Sequence, residues 1–477
     1  MGVTGLVAIV LNLASDMNKA APPTTRGRIK NYLFENAIKP AGHSLYRFLF
    51  NSPLKKVVKN LALKSAFVEG ALRSVSLSFI HFQMRKVDEL KIRKPGSDKL
   101  LFIDASLLIK EDLKTGIQRV SRSILLQLLS NPPEGYDIKV VYANKDIGYK
   151  IAQVQCENFE SLSLRSQESD ELIAIHPGDI FLGLDFACYP TILEKNYLNK
   201  IHSIGVKVYF VVYDLLPVQF PSYFPPVSNR FHAKWLRTIS QFDGVICISA
   251  TIANEYQAWL NKKRISVNKD FKIKHFHLGS DLSNSSPTKG LPPDAPEVLK
   301  QLKSKTTFLL VGTIEPRKGY GQMLQAFTQL WAEGADVNLV IVGKVGWNIQ
   351  NLVDKISTHP ELGRRLYWLQ GISDEYLEGI YSASSCLIAA SEAEGFGLPI
   401  IEAAHHHIPV IARDIPVFRE VAGDAAFYFS DRAKSSIADQ FKIWIDLNKE
   451  NKHPKSDGVR YITWQQSAEQ LKKAVFD

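Results

Sequence analysis

The chain has 477 residues, 45% hydrophobic and 22% charged, with a formal net charge of +10. That length and apolar content exclude a disordered or fibrous protein and leave room for two or three globular domains. No apolar run reaches the roughly eighteen residues a membrane span needs, and the four cysteines, Cys156, Cys188, Cys247 and Cys386, are scattered without a CxxC pair, as buried hydrophobes in a reducing compartment would be.

The positive charge sits at the start. Residues 1–95 hold sixteen Lys and Arg against five Asp and Glu, so the rest of the chain is close to neutral. Its first apolar stretch, Gly5 to Ala14, is too short and lacks the basic start of a secretory signal. From Ser44 to Phe79, aromatic and aliphatic residues alternate with Lys and Arg at helical spacing. The expectation is a basic, amphipathic, helical extension over 1–96. It either lies on an anionic membrane surface or packs on the main body with its basic face in water. No recognised nucleic-acid module organises its aromatics, so no nucleic-acid partner is expected.

From Lys99 the rhythm changes to short apolar strands alternating with helical stretches. The predicted strands are Lys99 to Ser106, Asp137 to Asn144, Asp179 to Asp185, Lys207 to Asp214 and Gly244 to Ser249; Ile117 to Ser130 reads as a helix. Ser280 to Pro296, rich in Ser, Pro and Gly, is the best linker. The alternation restarts at Thr306 to Thr313 and continues with Val337 to Lys344, Leu366 to Gly371, Ser385 to Ser391 and Pro409 to Arg413. A helical tail follows Trp464. This order predicts an α/β protein of two Rossmann-like domains, whose strand ends face each other across a ligand cleft.

Two turns in the second half carry candidate chemistry. In "VGTIEPRKGY", Arg317 and Lys318 follow a strand ending at Gly312, where cations suit a diphosphate. In "SEAEGFGLPIIEA", Glu394 and Glu402 flank Gly395, Phe396, Gly397 and Leu398. A strand, a glycine turn and a helix start with Pro399 aim backbone N–H groups at one point, a place for a phosphate or sugar hydroxyls. The acids would repel a phosphate, so they are expected to accept hydrogen bonds from hydroxyls. Elsewhere, Asp104 and Asp185 close apolar strands and are expected to bond nearby loops. His405, His406 and His407, adjacent on a helix, point in different directions and are not expected to share a metal ion.

These turns, with "LVIVGKVGW" (Leu339 to Trp347) and "RDIPVFREVAGDAAFYF" (Arg413 to Phe429), resemble the donor half of the family-4 retaining glycosyltransferases of the GT-B fold. "LFIDASLLIKEDLKTGIQRV", "GDIFLGLDF", "VYDLLPVQFPSYFPP" and "FHLGSDL" resemble the acceptor half of its mannosyltransferase-like branch. The resemblance covers about residues 99–475. It implies an acceptor-side domain over 97–285, a donor domain over 297–455 and a C-terminal helix over 456–477 packing back on the first domain.

By the same resemblance Glu394 reaches the hydroxyls of the donor sugar and Glu402 grips the nucleotide ribose. The backbone of Phe396, Gly397 and Leu398 holds sugar and phosphate, Lys318 neutralises the diphosphate and Arg317 assists. Gly312, Thr313, Gly343 and Lys344 complete the donor site, Gly371 and Ile372 form the wall for the base, and Gly116 approaches the phosphates. Tyr213 and Asp214 stand where many relatives have His-Asp, and Thr313 where many have an arginine. A nucleotide-diphosphate sugar, GDP-mannose favoured, is implied as co-substrate, with no metal, and a glycan or lipid-linked glycan of a bacterial surface polysaccharide as acceptor. The location implied is cytoplasmic, on the inner face of the membrane if the extension contacts it. An epimerase of the same fold and a catalytically silent partner subunit remain as alternatives, the second because of Tyr213.

Overall fold

The computed structural model describes residues 90–110, 115–143, 148–157, 161–166, 172–280 and 288–477. The basic segment therefore lies outside the described residues up to position 89, as does the middle of the expected linker, 281–287. At the end of the expected helical extension the structure differs: Lys91–Ile92 is a short strand, paired in parallel with Ala174–Ile175.

Eight strands form the first sheet: β1 (Lys99–Asp104), β2 (Tyr136–Ala143), β3 (Tyr149–Glu157), β4 (Ser161–Ser166), β5 (Ile180–Gly183), β6 (Lys207–Val212), β7 (Gly244–Cys247) and β8 (Lys272–His275). Their spatial order is β8-β7-β6-β5-β1-β2-β3-β4. Strands β8 to β2 run parallel, but β3 and β4 turn back as an antiparallel ribbon at one edge. That ribbon was not expected, because its polar, alternating residues lack the continuous apolar run of a strand buried on both faces.

The second sheet holds β9 (Thr306–Val311), β10 (Val337–Val342), β11 (Leu366–Leu369), β12 (Cys386–Ala389), β13 (Val410–Arg413) and β14 (Ala426–Phe429), all parallel, in the order β11-β10-β9-β12-β13-β14. This is the doubly wound order with its switch point between β9 and β12, where a crevice opens at the carboxyl ends of the strands.

The helices that position the site are α1 (Gly116–Ser130), α2 (Ala250–Lys263), α3 (Ala295–Lys303), α4 (Tyr320–Ala332), α5 (Asp374–Ala383), α6 (Leu398–His405), α7 (Pro416–Ala422), α8 (Ile437–Lys449) and α9 (Trp464–Phe476). Thr115 caps α1 with Gln118 in a reciprocal capping box, and Thr463 does the same for α9 with Gln466. The linker ends earlier than its Pro and Ser content suggests, since α3 starts at Ala295. Thr288 and Gly290 ahead of it are already tied to Asp374 and Glu375 of α5.

Alternate residues of the second sheet feed two cores. Phe308, Leu310, Leu339 and Ile341 join a cluster with Phe327 of α4 and Phe441 and Trp444 of α8. Leu309, Val340 and Val342 join the other, so helices cover both faces, as a parallel sheet requires. That other core does not stop at the sheet. It runs through Phe396 and Phe418 to Ile248 and Tyr213 and on into the first sheet, so the two halves share buried apolar surface.

The last helix closes the first half. α9 packs along α1, with Phe476 edge-on to Tyr136 at 4.9 Å, and Ser467 Oγ donates to the His277 carbonyl at 2.6 Å. Trp464 at its start is fully buried, whereas Ile443 on α8 is 53% exposed. Trp464→Ala should therefore lower the unfolding free energy by about 3–5 kcal/mol, and Ile443→Ala by less than about 0.5 kcal/mol. Equal losses in denaturant titrations would show that α9 is not docked as described.

Candidate functional site

Every group at the switch point of the second sheet is placed by a strand end. After β9 the chain passes Gly312 and Thr313 and enters a tight 3₁₀ turn, Pro316–Lys318, before α4. After β12 it runs through Ala390 and Ser391 to the glycine turn and α6. Arg413, at the end of β13 and 3% exposed, donates from Nε to the Ala390 carbonyl at 2.9 Å and pins the start of that turn.

The two loops meet at Glu394. Its Oε2 accepts from Arg317 Nη1 at 2.9 Å, Lys318 Nζ at 2.7 Å and Ser391 Oγ at 3.0 Å. Arg317 also donates to the Ala393 carbonyl at 3.1 Å and stands 3.1 Å from Glu315 Oε2. Burial pushes the Glu394 carboxyl up, but the Arg317 and Lys318 charges beside it prevail and hold it at about 2. Glu315, by contrast, has its pKa raised, chiefly by burial. A small cavity opens on this cluster, lined by Lys318, Tyr320, Ser391, Glu394, Gly397 and Phe418.

The two glycines of the turn are needed for different reasons. Gly397, at φ +107°, adopts a conformation that L side chains rarely take and precedes α6 with no side-chain cap, which leaves the helix start to its backbone. Gly395 has no such torsion. A Cβ there would stand 2.3 Å from the Tyr213 carbonyl oxygen, so it is glycine because the first half comes that close. Phe396 between them is buried in the shared core.

Glu402, on α6 and 5% exposed, is bound at both oxygens. Oε1 accepts from Arg119 Nη1 of α1 at 2.7 Å, and Oε2 from the Tyr381 hydroxyl of α5 at 2.8 Å. Gly116 lies three residues before Arg119, at the start of α1, with open space around its Cα. Both glutamates thus accept from protein groups, cations included.

The other expected residues fall at graded distances from this centre. Gly343 and Lys344 follow β10, which lies next to β9, and the Lys344 carbonyl accepts from the Ile314 N–H at 3.0 Å. Gly371 and Ile372 follow the edge strand β11, and Ile372 is partly buried against the core. Asp214 lies close enough to Arg317 and Glu315 to influence both charges. Tyr213 does not offer its hydroxyl to the cleft. It is 2% exposed and donates to the Leu184 carbonyl at 2.8 Å, 2.9 Å from Ser121 Oγ, because the strand-end alternation turns this ring inward.

Several residues were missed. Glu420 of α7 accepts from the backbone N–H groups of Ala250 and Thr251, each at 2.7 Å, and from His277 Nε2 at 2.9 Å, so a side chain of the second half caps a helix of the first. Ser249, the N-cap of α2, donates to the Gly395 carbonyl at 3.0 Å. Arg119 stands in "TGIQRV", three residues after Gly116, where the resemblance points to the glycine alone. Asp104 is fully buried on the Ser106 backbone N–H and hydroxyl, its pKa raised to about 7 by burial, and Asp185 accepts from Leu108 N at 2.7 Å; both hold the start of the short helix Ser106–Lys110 and not the loops expected. The three histidines diverge: His406 stacks on Tyr381, His405 lies edge-on to Tyr461 and His407 pairs with Asp457.

The chain is similar to known proteins in sequence and in fold. Residues 294–459 match the family described as glycosyl transferases group 1. Over 379 residues, 78% of this chain, the sequence is 41% identical to the serotype-specific mannosyltransferase WbdA of Escherichia coli, covering 46% of that protein. The chain thus spans about half the length of the curated relatives it matches. Its fold is similar to the catalytic domain of starch synthase IV from Arabidopsis thaliana, with TM-score 0.54, 14% identity and coverage of 80% of this chain and 99% of that one. Sucrose-phosphate synthase from Thermosynechococcus elongatus gives 0.53, 15%, 80% and 95%. At such identities the likeness concerns the fold alone. The family match falls on the half that carries Arg317, Lys318 and both glutamates, so residues 294–459 are similar to the group 1 glycosyltransferases, and the chain has the GT-B fold.

Proposed function

We propose that the chain is a retaining, metal-independent hexosyltransferase that moves mannose from GDP-mannose to a growing, lipid-linked bacterial surface polysaccharide. The observation that carries this is the pair of cations, Arg317 and Lys318, held beside Glu394 at the switch point where α6 begins without a side-chain cap. Mannose as the sugar is supported by the name of WbdA, a mannosyltransferase 41% identical over the matched region, and a surface polysaccharide as the product by the O-antigen chain mannosyltransferase B of Escherichia coli, 35% identical over 152 residues.

In this reading the diphosphate lies against Lys318, Arg317 and the backbone of Phe396, Gly397 and Leu398, with Gly312, Thr313 and Gly116 close by. Glu394 turns an oxygen to the sugar hydroxyls, and Glu402 exchanges Arg119 for those of the ribose. Gly343, Lys344, Gly371 and Ile372 flank the base. The C1–O bond to the diphosphate breaks, the acceptor hydroxyl oxygen bonds to C1 on the same face, and its proton passes to the departing phosphate. Charge developing on that phosphate is met by fixed cations and a helix N-terminus, which need no reorganisation as it grows. Asp214 stays beside Arg317; the Tyr213 side chain has no part, since its hydroxyl is held in the core.

The domains are taken as 97–285 for the acceptor and 297–455 for the donor, with 456–477 returning to the first. The enzyme acts in the cytoplasm at the inner face of the membrane, with the basic residues 1–95 drawn to anionic lipid. Among the described residues no helix is long and apolar enough to cross a membrane.

Calorimetry in EDTA should show GDP-mannose binding to the whole chain, weakened at least about tenfold by Lys318→Ala and by Glu402→Ala. No binding of any nucleotide sugar, or binding indifferent to both substitutions, would sink the donor site and favour a silent partner subunit.

Glu394 supplies a second expectation. Its folded pKa of about 2 lies below the ordinary 4.5, so its contribution to stability is present above 4.5 and is lost as pH falls from 4.5 towards 2. Glu394→Gln should cost on the order of 3 kcal/mol near neutral pH, with the difference from wild type shrinking below pH 4.5. A difference that does not change with pH in denaturant titrations would mean that the ion pairs do not stabilise the fold.

A further inference from the structure

The chain after β6 carries a set of aromatic rings that the donor site does not use. Phe220 is 38% exposed, and its ring lies parallel to that of Tyr223, with centroids 5.8 Å apart and planes 12° apart. Phe224 leans on Trp347 of the second half at 5.8 Å, and Trp347 Nε1 donates to the Tyr223 carbonyl at 2.7 Å. Neither of the two cores described above includes any of the four.

These rings are wired to the catalytic cluster. The Tyr223 hydroxyl donates to Glu392 Oε2 at 2.6 Å, and the Glu392 backbone N–H donates to the Arg317 carbonyl at 2.8 Å. On the other side Gly346, next to Trp347, donates to the Ile314 carbonyl at 3.0 Å, in the loop that leads to Arg317. A set of rings with Phe220 exposed at its edge is thus joined through Glu392 to the backbone carbonyl of Arg317. Three of the four rings come from the first half of the chain and Trp347 from the second.

We infer that Phe220, Tyr223, Phe224 and Trp347 form a platform for the acceptor, a neutral hexopyranose oligosaccharide whose terminal units stack on the rings. This rests on the donor reading above and extends it to the second substrate. A pyranose ring has an apolar face of C–H bonds, polarised by the attached oxygens, which complements the negative face of an aromatic ring. Its rim of hydroxyls needs acceptors, and Glu392, with one oxygen taken by Tyr223, has a second to give. An aromatic plane edged by a carboxylate suits an uncharged sugar better than a phosphate, which Glu392 would repel. A lipid tail would gain nothing from the carboxylate.

The test uses the full chain, with α-mannotetraose as probe. Trp347 fluorescence and calorimetry report binding of the tetrasaccharide alone, and transfer kinetics with GDP-mannose separate the KM for acceptor from kcat. Phe220→Ala, an exposed site where misfolding is not expected, should weaken tetrasaccharide binding and raise its KM roughly tenfold. GDP-mannose binding should not change, and Phe220→Trp should restore the affinity. If wild type and Phe220→Ala bind the tetrasaccharide alike, or neither binds it, the platform is overturned, and GDP-mannose binding by the same proteins shows whether the donor reading survives. Loss of nucleotide-sugar binding with tetrasaccharide binding intact would instead fault the donor reading alone.

Discussion

The structure turns on the neutralisation of buried charge at Glu394. Arg317 and Lys318 leave the end of β9 with side chains only 13% and 16% exposed, and such cations are costly without a partner. Glu394 supplies the partner, but only if the turn after β12 delivers it to one place. Arg413 fixes the carbonyl where that turn starts, Phe396 anchors its middle in the core, and Gly395 allows the first half to press against it. Packing sets the position of the carboxylate to within a hydrogen bond, and the carboxylate then sets the two cations. In the proposed function a diphosphate entering the cleft would compete with a carboxylate that is already well placed, and its affinity would be a difference between two good interactions.

The same constraint decides which helix start is left for a ligand. α2 and α6 both begin near the contact between the halves, and both have the dipole and the free N–H groups that favour an anion. α2 is already served: Ser249 caps it, and the Glu420 carboxylate, its pKa held at about 2 by hydrogen bonds from His277, Thr251 and Ala250 that outweigh the effect of burial, occupies its first turn. α6 begins at Gly397 with no side-chain cap. One end is therefore spent on joining the halves, and the other stays open beside Lys318.

Much of this could be read from the sequence, because it is local. Alternating apolar strands, "PRKG" after a strand and a glycine turn before a proline-started helix are short-range signals, and each predicted strand appears within a few residues. What escaped is long-range or weakly apolar. Arg119 and Glu402 are 283 residues apart, and Glu420 meets Thr251 across 169; no spacing rule reaches that far. The β3–β4 ribbon has a half-polar pattern, and β14 was read as part of a motif. Tyr213 was placed correctly at a strand end, but a one-residue alternation decides between cleft and core, and only packing shows which way the ring turns. The expectation that the acids serve hydroxyls named their chemistry as acceptors and missed the protein donors that hold them.

The three acids around the glycine turn, finally, divide the contact between the halves. Glu392 reaches Tyr223 of the first half, Glu394 holds the cations of its own half, and Glu402 reaches Arg119 of the first half again. Glu392 and Glu394 are two residues apart on a segment fixed at both ends, so neither moves without the other. A ligand that draws Glu394 towards a sugar pulls on Glu392 and, through Tyr223, on the aromatic rings beside it. Donor and acceptor would then be sensed by one short stretch of backbone, a reason for acids to stand on both sides of a turn whose glycines serve close approach as much as bending.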